Sequence, residues 1–418
     1  MGYFGLITGA GVLIIAFVVG VVQWLQTDKE EPRYAEKSAV RQEFFSDALQ
    51  HATSSYNTLT DHYVWGRTLK PSYVVQLHPL NVIQQYTQKK EFVWIGLTAG
   101  PWLVGFAVLQ FNYVSVFSVQ FYNAESGESW KSKTAIPLLA PFFGGKWVPN
   151  KVGNFGPNVG GHRVVFKAPF TSHRAAITFT GKSVYIEVTG SVSQCRVSKT
   201  RTTTTQQEDE EQELMYEIFG TASLPEEFLG FVFPLGPRRA AVVSKLAAAP
   251  LQTPLELRLG KQKWRGAGYF SMDYTRGLLR RETRWHWASA TSPGGYGFHL
   301  SEGTYDIGNK SVENTFYVSG KAMLIDTAVV FLQETTDVTP KNAEKDIDRG
   351  IAFWTVTGDG VLLRFRRVDA YDGNFNYGIV NGNLDHGWGI FDGTINVNGV
   401  SYSFESVPGV MEEHYAVW

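Results

Sequence analysis

Residues 91–122 read EFVWIGLTAGPWLVGFAVLQFNYVSVFSVQFY, and the way this run is taken decides the fold of the whole chain. It is apolar enough to suggest a membrane-spanning helix. Gly100-Pro101 and Asn112 divide it, however, and Val, Ile, Phe, Tyr and Trp dominate the pieces between them. Such residues suit a pleated, half-buried surface, and pieces of about ten residues are too short to cross a bilayer as helix. The run is therefore read as successive strands of a closed or sandwiched sheet.

The same pattern continues outward. Turn pairs recur at Thr180-Gly181, Ser319-Gly320, Asp359-Gly360, Asp372-Gly373, Asp392-Gly393 and Asn398-Gly399. The last is the plainest, since Thr394–Val397 and Val400–Phe404 flank two residues that tolerate positive φ. Strand, turn and strand at intervals of about 8 to 12 residues read as an antiparallel barrel or sandwich. A count of 42 glycines and 14% aromatics agrees with many short strands joined by tight turns. The expected class is all-β, with two antiparallel β-barrels or sandwiches. The stretch LAAAPLQTP at 246–254, with small residues and two prolines, marks the expected junction, giving a first half at 59–250 and a second at 251–418. Residues 199–213 (KTRTTTTQQEDEEQE) form a polar, low-complexity insertion in the first half.

The N-terminus follows a different rule. Leu6 to Leu25 (LITGAGVLIIAFVVGVVQWL) carry no charge. Twenty residues rising about 1.5 Å each span roughly 30 Å, the thickness of a bilayer's hydrocarbon core. No Lys or Arg precedes the run, and no small-x-small cleavage site follows it, so a secretory signal fits poorly. A transmembrane helix at 1–27 is expected, making this a single-pass membrane protein. Gly5 and Gly9 form a G-x-x-x-G step that lets a second helix approach closely. Residues 28–58 are expected to be a juxtamembrane helix and linker, from the helical composition of Pro32–His51.

The net charge is −1, with 18% charged residues, which argues against a nucleic-acid partner. The single cysteine, Cys195, excludes an internal disulfide framework and any cysteine-rich metal site. There is no G-x-S-x-G, G-x-x-x-x-G-K, H-E-x-x-H or C-x-x-C. Neither a metal nor a cofactor is expected. His78, His162 and His299 show no ligand spacing and read as ordinary surface or core histidines.

Polar and aromatic residues concentrate in three clusters: GYFSMDYTRGLLRRETRWHWA at 268–288, EGTYDIGNKSVENTF at 302–316, and GVMEEHYAVW at 409–418. Here the chain resembles the uncharacterised domain-of-unknown-function family numbered twenty-eight hundred and four. Asp273, Tyr274, Gly277, Thr283, Trp285, Trp287, Glu313, Asn314, Gly409, Glu412, His414 and Trp418 stand where that family's short motifs place them, and the likeness covers residues from about 60 to 418. The resemblance implies a calycin-like architecture of two lipocalin-type barrels, distantly similar to carotenoid hydratases, and it implies no reaction. The N-terminal helix and the polar insertion depart from the family's pattern.

Two accounts of the clusters follow. In one, the candidate catalytic residues Asp273, Glu313, Glu412 and His414, with His286 and His386, converge in a barrel mouth. Trp285, Trp287 and Trp418 are then the candidate ligand-binding residues, and a buried carboxylic acid of raised pKa protonates an apolar alkene or enol. In the other, Trp285 and Trp287 are core aromatics, and Arg276, Arg280, Arg281 and Arg284 pair with Glu282, Glu302 or Glu313. The structural account is favoured. The leading functional expectation is a single-span, non-catalytic accessory subunit of a larger membrane complex, possible in the mitochondrial respiratory chain or ATP synthase of the inner membrane. Its partners are the bilayer and other membrane-complex subunits. The alternative is a membrane-tethered lipocalin-like enzyme or carrier, of hydratase or isomerase type, for an apolar lipid or isoprenoid.

Overall fold

The run at 91–122 folds as strands. Lys89–Ala99, Trp102–Gln110 and Val114–Asn123 pair successively in antiparallel fashion. Ala99 pairs with Trp102 across Gly100-Pro101, and Gly100 takes the left-handed φ of 53° that this two-residue turn requires. Hydrophobic, β-branched residues thus form a meander, and its turns sit where the sequence breaks the apolar run. The computed structural model describes residues 18, 33–111, 114–137, 150–151, 162–167, 171–195, 213–334, 353–376 and 381–417.

These strands belong to a 15-stranded sheet that runs from Gln262–Gly266 at one end of its main path to Gly66–Thr68 at the other. A second, 10-stranded sheet runs from Lys321–Leu324 to Val329–Gln333. The pairings are antiparallel, apart from an isolated parallel bridge between Ser54 and Val74. All-β architecture is therefore correct. Each sheet has its own apolar core: Phe117, Phe121, Tyr216 and Met272 lie in the first, Phe298, Phe365, Phe391 and Phe404 in the second. A thinner layer with Leu103, Trp287, Trp388 and Val410 lies between them.

The sheet boundary does not fall at 246–254. Leu246 to Pro250 belong to the Arg239–Pro250 strand, which is paired on both sides, by Leu229–Gly236 and by Tyr269–Leu278. Only Pro250 of that strand is exposed. A strand covered on both faces wants small residues, and this explains its alanines better than a linker does. The second sheet begins at Glu282.

Asp392-Gly393 is likewise not a hairpin. It lies inside the Asn381–Val397 strand, where a register shift between Phe391 and Gly393 marks a bulge. Asn398-Gly399 does form the expected turn, with Val397 paired to Val400 and φ of 52° and 79°. Residues 34–51 form the helical turns Tyr34–Glu36, Ser38–Phe44 and Ala48–His51, and bury Ala35, Phe44 and Leu49 in one cluster with Phe231 and Phe233. Of the expected transmembrane helix at 1–27, all but Val18 lies outside the described residues, including Gly5 and Gly9. Residues 199–212 of the polar insertion lie outside them as well. No helix among the described residues is long and apolar enough to cross a membrane.

Replacing Gly399 by Val isolates the backbone requirement of the last hairpin, because a Cβ there meets nothing within 4 Å. The expected loss is about 1–2 kcal/mol, the cost of holding a β-branched residue at positive φ. Urea unfolding of Gly399→Val checks this, with Gly399→Asn expected close to the parent.

Candidate active site between the two sheets

Strand register sets two rows of side chains against one another. In the first sheet Lys245 pairs with Asp273, and Asp273 pairs with Trp94. In the second, Ser301 pairs with Trp287, Trp287 with Glu412, and Glu412 with His386. Directly paired residues in a sheet project to the same face. The rows meet where Trp94 and Trp287 pack edge to face, ring centroids 5.1 Å apart, and where Lys245 Nζ lies 5.3 Å from the centroid of the Trp287 ring.

The charged centre joins the two sheets. Lys245 Nζ lies 2.6 Å from Asp273 Oδ2 and 2.9 Å from Glu313 Oε1. Ser301 donates its hydroxyl to Glu313 Oε2 at 2.6 Å. Burial works to strip Lys245 of its proton, but Asp273 and Glu313 outweigh it and hold the ammonium above its ordinary pKa. For Asp273 the balance differs. Burial is the largest influence and lifts its carboxyl to about 6; Lys245 opposes this, while Glu313 and Glu412 add to it. Only one Asp273 oxygen is engaged, and buried Oδ1 has no hydrogen-bond partner.

Glu412 and His414 sit beside this centre. Burial pushes Glu412 up, yet hydrogen bonds from His386 Nδ1 (3.3 Å) and Trp285 Nε1 (3.2 Å) and the neighbouring histidines bring it below the ordinary carboxylate value. His414 stacks on Trp285 at 3.6 Å, and burial lowers its pKa to about 4 against the pull of Glu412. His299 is buried, stacks on Trp287 at 5.6 Å and uses Nε2 to donate to the Leu246 carbonyl at 2.9 Å. Burial, then the charge of Lys245, lowers it to about 3.

Asp273, Glu313, Glu412, His414, Trp285 and Trp287 are thus brought into one inter-sheet layer, at the seam between the sheets. Trp418 lies outside the described residues. His286 does not join them: strand alternation turns it to the other face, where it meets Glu302 at 2.6 Å and packs near Phe331 and Trp354. The partners of Glu313, Glu302 and Arg276 also differ from those expected. Glu313 takes Lys245, Glu302 takes His286, and Arg276 lies 2.8 Å from Glu91. Lys245 and His299 are the residues that sequence reasoning missed. Lys245 did carry a signal: it is the one charge in the run AAVVSKLAAAP, and a lysine there is buried only with a partner. Chemically, the layer offers a carboxyl able to release a proton near neutrality, walled by indole faces.

The family profile described as "Domain of unknown function (DUF2804)" matches residues 65–418. No curated protein matches the chain. Among solved structures, a Nitrosomonas europaea protein provisionally described as an AttH is similar at 10% identity and a TM-score of 0.39, covering 78% of this chain and 92% of its own. CghA is similar at 11% identity and a TM-score of 0.34, covering 78% of this chain and 88% of its own.

The buried histidines fix the direction of the acid response. Both have folded pKa values below the ordinary 6.5, about 3 for His299 and about 4 for His414, so their stabilising contribution is complete above 6.5 and falls away as pH drops. Asp273, raised from 3.8 to about 6, works in the opposite sense between those values. At pH 5 each histidine is expected to cost about 2 kcal/mol relative to pH 7. Urea unfolding at the two pH values checks this, and His414→Asn should remove about that much of the difference.

Proposed function

The chain belongs to the family described as Domain of unknown function (DUF2804), and for it we propose a lipocalin-like protein whose inter-sheet layer binds an apolar lipid or isoprenoid and protonates it from Asp273. The observation that carries the proposal is the unpartnered, buried Asp273 Oδ1, on a carboxyl whose pKa is raised to about 6 and whose partner Lys245 lies over the Trp287 ring. Each sheet is taken to curl into a lipocalin-type barrel, with the ligand held at the seam between them. A proton passed from Asp273 to an alkene or enol carbon leaves positive charge on the ligand. The faces of Trp94 and Trp287 and the carboxylates of Glu313 and Glu412 are suited to stabilise it. Return of a different proton to Asp273 completes an isomerisation, and addition of water followed by loss of a proton completes a hydration. With Leu6–Leu25 as a single-pass anchor, the body lies beside the bilayer that holds such ligands.

The accessory-subunit reading has its own support. Lys245 contacts both Asp273 and Glu313, which suits a clasp between two sheets as well as it suits catalysis. On that reading the protein contributes packing to a membrane complex, with the mitochondrial inner membrane as its proposed location and no turnover of its own.

Asp273→Asn separates the two. The acid role predicts a folded, stably assembled variant whose lipid extract accumulates an unconverted apolar substrate, with turnover down at least about 100-fold. A clasp predicts an unchanged lipid profile together with a stability loss of about 1–3 kcal/mol or loss of co-purifying partners. Chromatography of membrane extracts and native electrophoresis read the two outcomes. The anchor is tested apart from both: alkaline carbonate should leave the full chain in the membrane pellet, and its release would contradict a spanning helix.

A further inference from the structure

The first sheet carries a second constellation within its own core, remote in sequence from the family clusters. Ser132 lies in the Ser129–Pro137 strand, His173 immediately precedes the Arg174–Phe179 strand, and Tyr216 lies in the Glu213–Ser223 strand. Ser132 Oγ is 3.0 Å from His173 Nε2, and His173 Nδ1 is 3.1 Å from the Tyr216 hydroxyl. His173 and Tyr216 are buried, and Ser132 is partly exposed. A hydroxyl within reach of an imidazole whose other nitrogen is held by a third group is the arrangement of an activated nucleophile.

Independent features keep the ring in place. Gly190, in the Ser183–Cys195 strand, lies under the imidazole, and a Cβ there would overlap both His173 Nδ1 and the Tyr216 hydroxyl. Phe117 packs against the imidazole, 5.3 Å between ring centroids, and is itself stacked on Phe166 at 5.1 Å. Burial lowers the His173 pKa below its ordinary value, with Glu213 opposing, and burial raises that of the Tyr216 phenol. Near neutrality the imidazole is therefore uncharged and the phenol keeps its proton. In the tautomer whose Nδ1–H donates to the Tyr216 hydroxyl, Nε2 turns its lone pair toward the Ser132 hydroxyl.

We propose that Ser132 is a nucleophile toward carboxylic esters with apolar acyl groups, that His173 is its general base, and that Tyr216 is a positioning residue that holds the His173 ring. Ser132 Oγ attacks the ester carbonyl carbon as His173 Nε2 takes its proton. The tetrahedral adduct then collapses with cleavage of the ester C–O bond, and His173 returns that proton to the departing alcohol. Water, deprotonated by His173, attacks the acyl–Ser132 bond; the proton returns to Ser132 Oγ and the carboxylic acid leaves. The net reaction is ester plus water to acid plus alcohol, with no other reactant. The apolar acyl class follows from Phe117 beside the imidazole and Phe166 stacked on it. Asp273 takes no part, so this site stands or falls separately from the inter-sheet layer.

The test uses the full chain, a fluorophosphonate probe and p-nitrophenyl butyrate. Peptide mapping is expected to place the probe on Ser132. Ser132→Ala should abolish labelling and ester hydrolysis, and His173→Gln should slow labelling at least about 100-fold. In the unmodified chain, labelling should rise with pH through one ionisation below the ordinary histidine value, and Tyr216→Phe should move that midpoint and slow the reaction. An unlabelled Ser132, a labelling rate independent of His173, or a flat pH profile of the unmodified chain would each overturn the proposal. The pH profile decides the matter even if a core variant fails to fold.

Discussion

The buried ammonium of Lys245 is the most demanding of the polar contacts between the two sheets of this protein, which also include Lys131 with Asp369 and His299 with the Leu246 carbonyl. Lys245 is 2% exposed and reaches Asp273 on its own sheet and Glu313 in the turn that leads into the second sheet's Thr315–Val318 strand. A charge so placed costs several kcal/mol of lost hydration, and only close carboxylates with good geometry offset that cost. The sheets therefore have to meet where Lys245 finds both partners. Apolar packing alone between Leu103, Trp388, Ile390 and Val410 tolerates sliding, whereas a three-way ion contact with a further hydroxyl on Glu313 does not. Part of the hydrogen-bonding potential is nevertheless left open. Asp273 Oδ1, His299 Nδ1 and the indole nitrogens of Trp287 and Trp388 are buried without hydrogen-bond partners.

The second sheet supplies more than a lid. Because Ser301, Trp287, Glu412 and His386 are direct register partners on four neighbouring strands, one face presents a hydroxyl, an indole, a carboxylate and an imidazole in a line. A one-residue slip anywhere along those strands would exchange this face for the one that carries His286. The bulge at Phe391–Gly393 and the tight turn at Asn398-Gly399 fix the register of the longest hairpin, Asn381–Val397 with Val400–Val417, which delivers His386, Glu412 and His414 together.

Much of the fold was legible because it is written locally. The turn at Gly100-Pro101, the pair Asn398-Gly399, and the alternation of apolar residues beside them need no knowledge of the rest of the chain. The junction was misplaced because small residues have two opposite meanings, a loose linker or a strand squeezed on both faces, and LAAAP is the second. The site was half legible. Asp273, Glu313, Glu412 and His414 stood out as polar residues within family motifs, but Lys245 lies 28 residues from Asp273 and outside every motif. Its partner could only be identified once the sheets were assembled. The expected partners of Glu302 and Glu313 differed for the same reason: composition supplies several cations near them, and only the assembled strands bring His286 to the first and Lys245 to the second.

The central claim is that Asp273 is a carboxyl held partly protonated near neutral pH by its burial, despite its contact with Lys245. Carbon-13 NMR of aspartate carboxyl groups across pH 3 to 9, with Asp273 assigned by loss of its signal in Asp273→Asn, measures this directly. A carboxyl titrating at about 6 is the predicted result. A titration at the ordinary aspartate value of 3.8 or below would show that Lys245 simply neutralises a structural carboxylate, and would contradict the account.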